Sequence, residues 1–312
     1  ITNQSSETGT LNFGLQDSTG TVYFSNLKIE YGHVFPLPEL PDHFQCKYTN
    51  IVKRRPQMRG VMSPSSYVPN DLTDLRTWNA SLIRWQLVSS TVQSDYLAWL
   101  DDKMAQLDLA LKENEENDLQ INFIIDFHTC PGGRNANGEC PIHTNESLAQ
   151  LFFTCWERLA TRFKGRKGIW AYDLFNEPVQ LRLANENRDY LSIQYETAKL
   201  IRKIDPDTPI IIESAQYDSP TAYPYFSPLP LKDIIYQVHM YYPHLYTHQN
   251  VNRVWSDDAL CSYPGVISNQ FYDRDYLEQI LMPTIEFQKK YNARIFLGEF
   301  SAIRWADGAE IY

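Results

Sequence analysis

Residues 169 to 178 read Ile169-Trp170-Ala171-Tyr172-Asp173-Leu174-Phe175-Asn176-Glu177-Pro178. An apolar and aromatic run of strand-like composition stops at Asn176 and Glu177, and Pro178, which has no N–H, keeps the hydrogen-bond ladder from continuing. A carboxylate is thereby left at the tip of a strand. Burying an unpaired carboxylate is costly, so Glu177 belongs either to a structural network or to a water-accessible site with a tuned pKa.

The same event recurs along the chain. Ser81 to Arg84 reads Ser-Leu-Ile-Arg, Ile121 to His128 reads Ile-Asn-Phe-Ile-Ile-Asp-Phe-His, Ile234 to Tyr241 reads Ile-Ile-Tyr-Gln-Val-His-Met-Tyr, and Ala293 to Phe300 reads Ala-Arg-Ile-Phe-Leu-Gly-Glu-Phe. Each run with the composition of a buried strand ends in an ionisable or hydrogen-bonding side chain. The stretches between them are mostly long enough for a helix. Repeated βα units of this kind gather their functional groups at the carboxyl ends of parallel strands, which predicts an α/β chain of the (β/α)8 TIM-barrel class.

Working outward, the first barrel strand is expected over residues 58–63 and the second over 81–88, with a short helix (71–78) between them. A helix over 95–114 leads to strand three (121–128), and a helix over 145–163 leads to the opening stretch, strand four. A helix over 188–204 precedes strand five (210–215), strand six covers 234–242, and a helix over 275–291 precedes strand seven (294–300). An eight-stranded barrel needs one more. The chain therefore reads as a barrel lacking its last strand and helix, with truncation favoured over replacement of the eighth strand by the β-rich stretch 20–29, in cis or from another copy. The open edge invites self-association.

Residues 1–33 differ in texture, with short alternating runs such as Gly20-Thr21-Val22-Tyr23-Phe24 separated by Gly and Asp-Ser, and read as two antiparallel strands. Two strands make no independent core. Residues 34–57, with Pro36, Pro38 and Pro41, read as a Pro-rich linker, and 58–312 as the barrel domain.

The chain has 312 residues, 43% of them hydrophobic, which suits one large globular domain plus a fragment. Lys and Arg number 28 against 38 Asp and Glu, and the formal charge of −10 opposes a polyanionic partner, so nucleic acid is excluded. No run is long and apolar enough for a membrane span. Five cysteines are too few for a disulfide scaffold; Cys130 and Cys140 bracket a Gly-rich loop and read equally as a disulfide or as two thiols.

Taken together, Arg84, His128, Asn176-Glu177-Pro178, His239-Met240-Tyr241 and Gly298-Glu299-Phe300, in this order on successive strands, resemble the catalytic set of glycoside hydrolase family 5, the cellulase family in the clan of (β/α)8 retaining glycosidases. The resemblance spans Met58 to the C-terminus. It implies Glu177 as acid/base, Glu299 as nucleophile, and Asn176, His128 and His239 lining the same sugar subsite. The departure is the family's eighth strand and its sugar-stacking Trp, absent from this sequence. Residues 1–33 resemble the last strands of the jelly-roll carbohydrate-binding modules that often precede such barrels.

The residues support that chemistry independently. Retaining hydrolysis needs two carboxyls roughly 5 to 5.5 Å apart, one protonated and one ionised. Strands four and seven face each other across a barrel, so Glu177 and Glu299 can meet at its mouth. Like charges at that spacing raise one pKa, while a cation holds the other group ionised. Arg84 is the natural cation for Glu299, and Tyr241 its hydrogen-bond donor. Glu213 and Asp126 are competing carboxylates, with Glu213 read as a buried acceptor or rim contact. Trp85, Tyr217, Tyr242, Trp255 and Trp305 are candidate sugar platforms.

The expected activity is an endo-β-1,4-glycanase acting on β-glucan, without metal or cofactor, and secreted because its polymeric substrate cannot enter a cell. Alternatives are a catalytically impaired, carbohydrate-binding barrel, and a β-mannanase or xyloglucanase of the same fold. A metal-dependent hydrolase using His128, His143, His239 and the cysteines is disfavoured, because Cys130, Cys140 and His143 lack the short zinc spacings.

Overall fold

A computed structural model describes residues 37–49, 52, 57–64, 66–89, 95–180, 189–251 and 260–312. The β-rich stretch 1–33, the candidate platform Trp255 and residues 34–36, 50, 51 and 53–56 of the Pro-rich segment lie outside them.

Seven strands form one parallel sheet curled into a nearly closed barrel: β1 (Gly60–Pro64), β2 (Leu82–Gln86), β3 (Asn122–Asp126), β4 (Ile169–Asp173), β5 (Ile210–Glu213), β6 (Ile234–Met240) and, after a hairpin, β9 (Arg294–Phe300). Neighbours in sequence are neighbours in the sheet, and every pairing is parallel. Strands buried on both faces read as near-continuous apolar runs, which is why their sequences show little alternation. Ile210–Glu213 is buried at every position, as is Ile234–Met240.

Helices α1 (Asp71–Thr77), α2 (Tyr96–Glu116), α3 (Glu146–Phe163), α4 (Tyr190–Ile204) and α5 (Arg274–Tyr291) pack outside. Their starts are written in the sequence. Asp95, Asn145 and Asp273 each accept a hydrogen bond from the backbone N–H three residues on, and Asp189 and Ser192 form a reciprocal capping box. Helix α3 faces the sheet with Phe152, Trp156, Leu159 and Phe163, a spacing that lines one side of a 3.6-residue turn.

Two connections depart from a plain βα alternation. No long helix joins β5 to β6; a bend and a short 3₁₀ stretch (Pro220–Tyr225) take its place, and buried Tyr223 and Phe226 fill the volume against Phe287 of α5. Before α5 sits a small antiparallel hairpin, β7 (Gly265–Ile267) and β8 (Gln270–Tyr272). The hairpin's turn uses Ser268 and Asn269 at positive φ, a type of turn whose Asn signal was present in the sequence.

The described part of the Pro-rich stretch closes the base of the barrel. Cys46 N–H donates to Tyr291 O, Lys47 pairs with Lys232, and the Tyr48 hydroxyl accepts from Arg294 N–H at 2.7 Å. Cys46, Tyr48 and Val52 are buried in the main core. At the opposite edge, β1 and β9 have no partner on their outer sides among the described residues, and the gap between them opens into a cavity of about 770 Å³.

Candidate active site

Alternation along β2 sends Leu82, Arg84 and Gln86 to one face and Ile83 and Trp85 to the other. Arg84 lies in the barrel interior, 2% exposed, and contacts residues at the tips of four other strands at once. Its Nε donates to Asp173 Oδ2 at 2.8 Å and its Nη1 to Glu299 Oε1 at 2.5 Å, with Asp126 Oδ2 3.0 Å from Nη1. Its Nη2 donates to Asn176 Oδ1 at 3.0 Å and to Glu213 Oε1 at 2.9 Å. Burial alone would make the guanidinium easier to deprotonate, but the surrounding acids outweigh it and hold the charge firmly.

The same alternation corrects one expectation. Trp85 is not a sugar platform: it points to the helix layer, fully buried, and packs edge-on against Phe123 with ring centroids 6.0 Å apart.

Glu299 comes from β9. Register between β6 and β9 pairs Val238 with Leu297 and His239 with Glu299, so Gly298 is the extra residue of a bulge that turns the following carboxylate inward. Besides Arg84, Glu299 is held by the Tyr241 hydroxyl, which donates to Oε2 at 3.0 Å. Both partners are those expected from the sequence.

Glu177 lies just past β4, which ends at Asp173. Its backbone adopts φ 48°, a left-handed conformation uncommon for a residue with a side chain. The Glu177 N–H donates to Glu213 Oε2 at 2.6 Å, and its carbonyl accepts from Arg134 Nη2 at 2.7 Å. Its carboxylate Oε1 is 3.0 Å from His239 Nδ1. Oxygens of Glu177 and Glu299 and a ring nitrogen of His239 all lie within 4.8 Å of one another.

For Glu177, expected as the proton-bearing partner, the net electrostatic effect is downward. Burial does push Glu177 upward, but the hydrogen bond and charge of His239, helped by Arg134 and His128, hold it below the usual carboxylate range. His239 responds in the opposite sense: burial pulls it down, while Glu177, Glu299 and Asp218 raise it above the ordinary histidine value. The two shifts are reciprocal: the contact favours a negative Glu177 and a positive His239.

His128 is held by Asp126, with Nδ1 2.8 Å from Oδ2. Burial lowers its pKa, and Asp126 more than compensates. Asn176 is buried, and with its Oδ1 occupied by Arg84 its Nδ2 is the group left to donate. The competing carboxylates Asp126 and Glu213 are fully buried and committed to the Arg84 network. Glu213 is pushed well above the usual range by burial and by Asp173 and Asp218, against the pull of Arg84.

Two recesses meet at Glu177. One, about 240 Å³, is lined by Tyr217, Ser219, His239, Tyr241, Tyr242 and His244; the other, about 200 Å³, by His128, Cys130, Arg134, Cys140 and Asn176. Cys130 and Cys140 are thiols in contact at the wall of the second recess. Tyr217, exposed, lies against the Arg134 guanidinium 5.3 Å from its ring centre. Trp305, also exposed, follows β9, and its Nε1 donates to Gln249 O at 3.2 Å.

Sequence reasoning missed Asp173, Gln237 and Arg134. Asp173 and Gln237 had a detectable signal: Asp173 ends β4 and Gln237 lies three residues before the end of β6, each on a strand that already carried or led to a candidate. Arg134 had none beyond its place in a Gly-rich loop.

With this geometry established, the chain can be set beside known proteins. A family model described as Cellulase (glycosyl hydrolase family 5) matches residues 55–309. Endoglucanase C of Acetivibrio thermocellus and Endoglucanase C307 of Clostridium sp. (strain F1) are each 25% identical over 232 residues, 66% of this chain and 65% of theirs, so the match spans a little under two thirds of these relatives. Among solved structures, Thermotoga maritima Cel5A in complex with cellobiose superposes with a TM-score of 0.62 at 22% identity over 80% of each chain. The same protein with mannotriose gives 0.60 at 22% identity, covering 80% of this chain and 81% of that one. These likenesses corroborate the barrel fold.

Proposed function

The chain belongs to glycosyl hydrolase family 5, and on that footing we propose that it is a retaining endo-β-1,4-glycanase hydrolysing β-glucan by double displacement. The observation that carries the reading is the approach of Glu177 and Glu299 to within 4.8 Å, each in a different electrostatic setting. Two carboxyls this close suit direct attack at the anomeric carbon, whereas an inverting pair leaves room for a water between them.

In the first step Glu299 Oε attacks the anomeric carbon as the glycosidic C–O bond breaks and Glu177 delivers a proton to the leaving oxygen. Arg84 and Tyr241 hold the Glu299 carboxylate aimed until attack. The proton comes from the Glu177–His239 pair: as Glu299 becomes an ester its negative charge disappears, His239 loses one of the charges that raised it, and the proton is released toward Glu177. In the second step Glu177 takes a proton from water as its oxygen attacks the same carbon, the ester C–O bond to Glu299 breaks with return of its carboxylate, and the β configuration is restored. Asn176 is placed to donate to the sugar 2-hydroxyl, where a hydrogen bond strengthens in the transition state.

The substrate is a β-linked polysaccharide or its oligosaccharides, bound across the recesses on either side of Glu177, with Tyr217, Tyr242 and Trp305 as stacking surfaces at the rim. A β-mannanase reading is kept for one reason: the structural neighbour cited above was solved with mannotriose as well as with cellobiose. Secretion follows from a polymeric substrate. No described helix is long and apolar enough to cross a membrane.

The test is hydrolysis of soluble β-glucan, glucomannan, xyloglucan and xylan beside a Glu299→Gln variant, with the first anomer formed followed by NMR. The proposal expects β-glucan cleaved to a β product and a loss of turnover of several orders of magnitude in Glu299→Gln. An α product, or a folded protein that binds glycans without cleaving any, would contradict it.

A further inference from the structure

Three donors converge on the two carboxylate oxygens of Glu213, a side chain without solvent contact at the end of β5. Oε2 accepts from the Glu177 backbone N–H at 2.6 Å; Oε1 accepts from Arg84 Nη2 at 2.9 Å and from Gln237 Nε2. The Glu213 backbone is itself fixed from outside the barrel, because Gln194 of α4 accepts from its N–H at 3.0 Å and donates to its carbonyl at 2.9 Å. One carboxylate thus touches the residue that carries the acid/base and the cation that holds the nucleophile, and is rigid in both contacts.

The contact with Glu177 falls where the chain most needs holding. A residue with a Cβ at φ 48° persists only if its surroundings over-determine it. The following Pro178 offers no N–H to share that task, and the Glu177 N–H has Glu213 as its acceptor. The direction in which the Glu177 side chain leaves the backbone is set by this left-handed turn.

We infer that Glu213 is a positioning residue of the glycosidase reaction: its carboxylate clamps the left-handed backbone of Glu177, aims the acid/base carboxyl at the leaving oxygen, and locks that aim to Arg84 and hence to Glu299. The inference rests on the assignment of Glu177 as acid/base and Glu299 as nucleophile made above. Glu213 itself takes no proton from substrate and touches none.

Replacement by Gln separates the two contacts. The amide keeps one acceptor, which Arg84, being charged, retains, and the Nε2 is left facing the Glu177 N–H, donor against donor. The backbone clamp is lost while the Arg84–Glu299 pair stays. The defect is then confined to proton delivery, and it depends on the leaving group. A 2,4-dinitrophenolate departs without protonation; a sugar hydroxyl does not.

The experiment compares kcat/KM, which reports the first step, for 2,4-dinitrophenyl β-cellobioside and for cellotetraose in the parent, Glu213→Gln and Glu177→Gln, with circular dichroism confirming the fold. The expected result is that Glu177→Gln loses cellotetraose turnover far more than dinitrophenyl turnover, and that Glu213→Gln reproduces this split, with a loss on cellotetraose on the order of a hundredfold. If Glu177→Gln shows the split and Glu213→Gln is parent-like, or loses both substrates equally, the positioning role is overturned while the Glu177 assignment stands. If Glu177→Gln shows no split, the acid/base assignment fails and the inference falls with it. Should Glu213→Gln not fold, Glu213→Asp carries the test: the shorter carboxylate keeps its charge beside Arg84 but cannot span both Arg84 and the Glu177 N–H, a larger loss on cellotetraose than on the dinitrophenyl substrate is again expected, and an equal loss on both overturns the positioning role.

Discussion

Arg84 faces Asp126, Asp173, Glu213 and Glu299 simultaneously, and one guanidinium cannot neutralise four carboxylates in a dry interior. The surplus charge has to be met by protons. Asp218, close to His239 rather than to Arg84, adds a further buried acid: burial raises its carboxyl to about 8, although His239 and the Ser214 hydrogen bonds pull the other way. The sign of the consequence is fixed. Below its unfolded value of 3.8 Asp218 is protonated in both states; between there and about 8 the folded protein keeps a proton that the unfolded chain releases, so stability falls as pH rises through this window. Asp218→Asn retains an acceptor for Ser214 and removes the titration. Its melting temperature is expected to decline less steeply between about pH 4 and pH 8 than that of the parent; an unchanged or steeper decline would show that the proton lies elsewhere in the cluster.

At the scale of elements, the strand tips that carry the site were legible because each buried run stopped at a polar residue, and β9 ran over the residues expected, 294–300. What the sequence hid is what depends on tertiary register. Trp85 and Arg84 are adjacent and both buried, and composition cannot say which of the two faces is the bore and which the helix layer. The bulge at Gly298 was likewise invisible except as a small residue before Glu299. Its physical reason is now specific: a Cβ at Gly298 would come within 2.3 Å of the Gln237 side chain, itself fixed between Glu213 and His239. Gly298→Ala is therefore expected to cost about 1 to 3 kcal/mol of stability by overpacking, and to lower kcat by up to a hundredfold as Glu299 is displaced. Thermal unfolding and steady-state kinetics check the two effects, and parent-like kinetics would mean that Gln237 can yield without moving Glu299.

For the whole molecule, the barrel class was readable from the recurring βα pattern, and the described residues hold seven of its strands. The described sheet ends at β1 and β9, where Met62, Leu297 and Phe300 are exposed beside a cavity of about 770 Å³. Unpaired strand edges flanked by apolar side chains template further pairing, so sedimentation velocity is expected to show association that increases with protein concentration; a monomer at all concentrations would mean that the edges are covered within one chain. The site does not wait on that outcome, because Arg84, Glu177, Glu213, Tyr241 and Glu299 are linked directly to one another. The most direct measurement of the central claim is to trap the glycosyl-enzyme with 2,4-dinitrophenyl 2-deoxy-2-fluoro-β-cellobioside and map the adduct by peptide mass spectrometry. Double displacement at these two carboxylates predicts a single fluoroglycosyl ester on Glu299. No adduct on an enzyme that turns over cellotetraose, or an adduct on Glu177, Glu213 or Asp126, would contradict it.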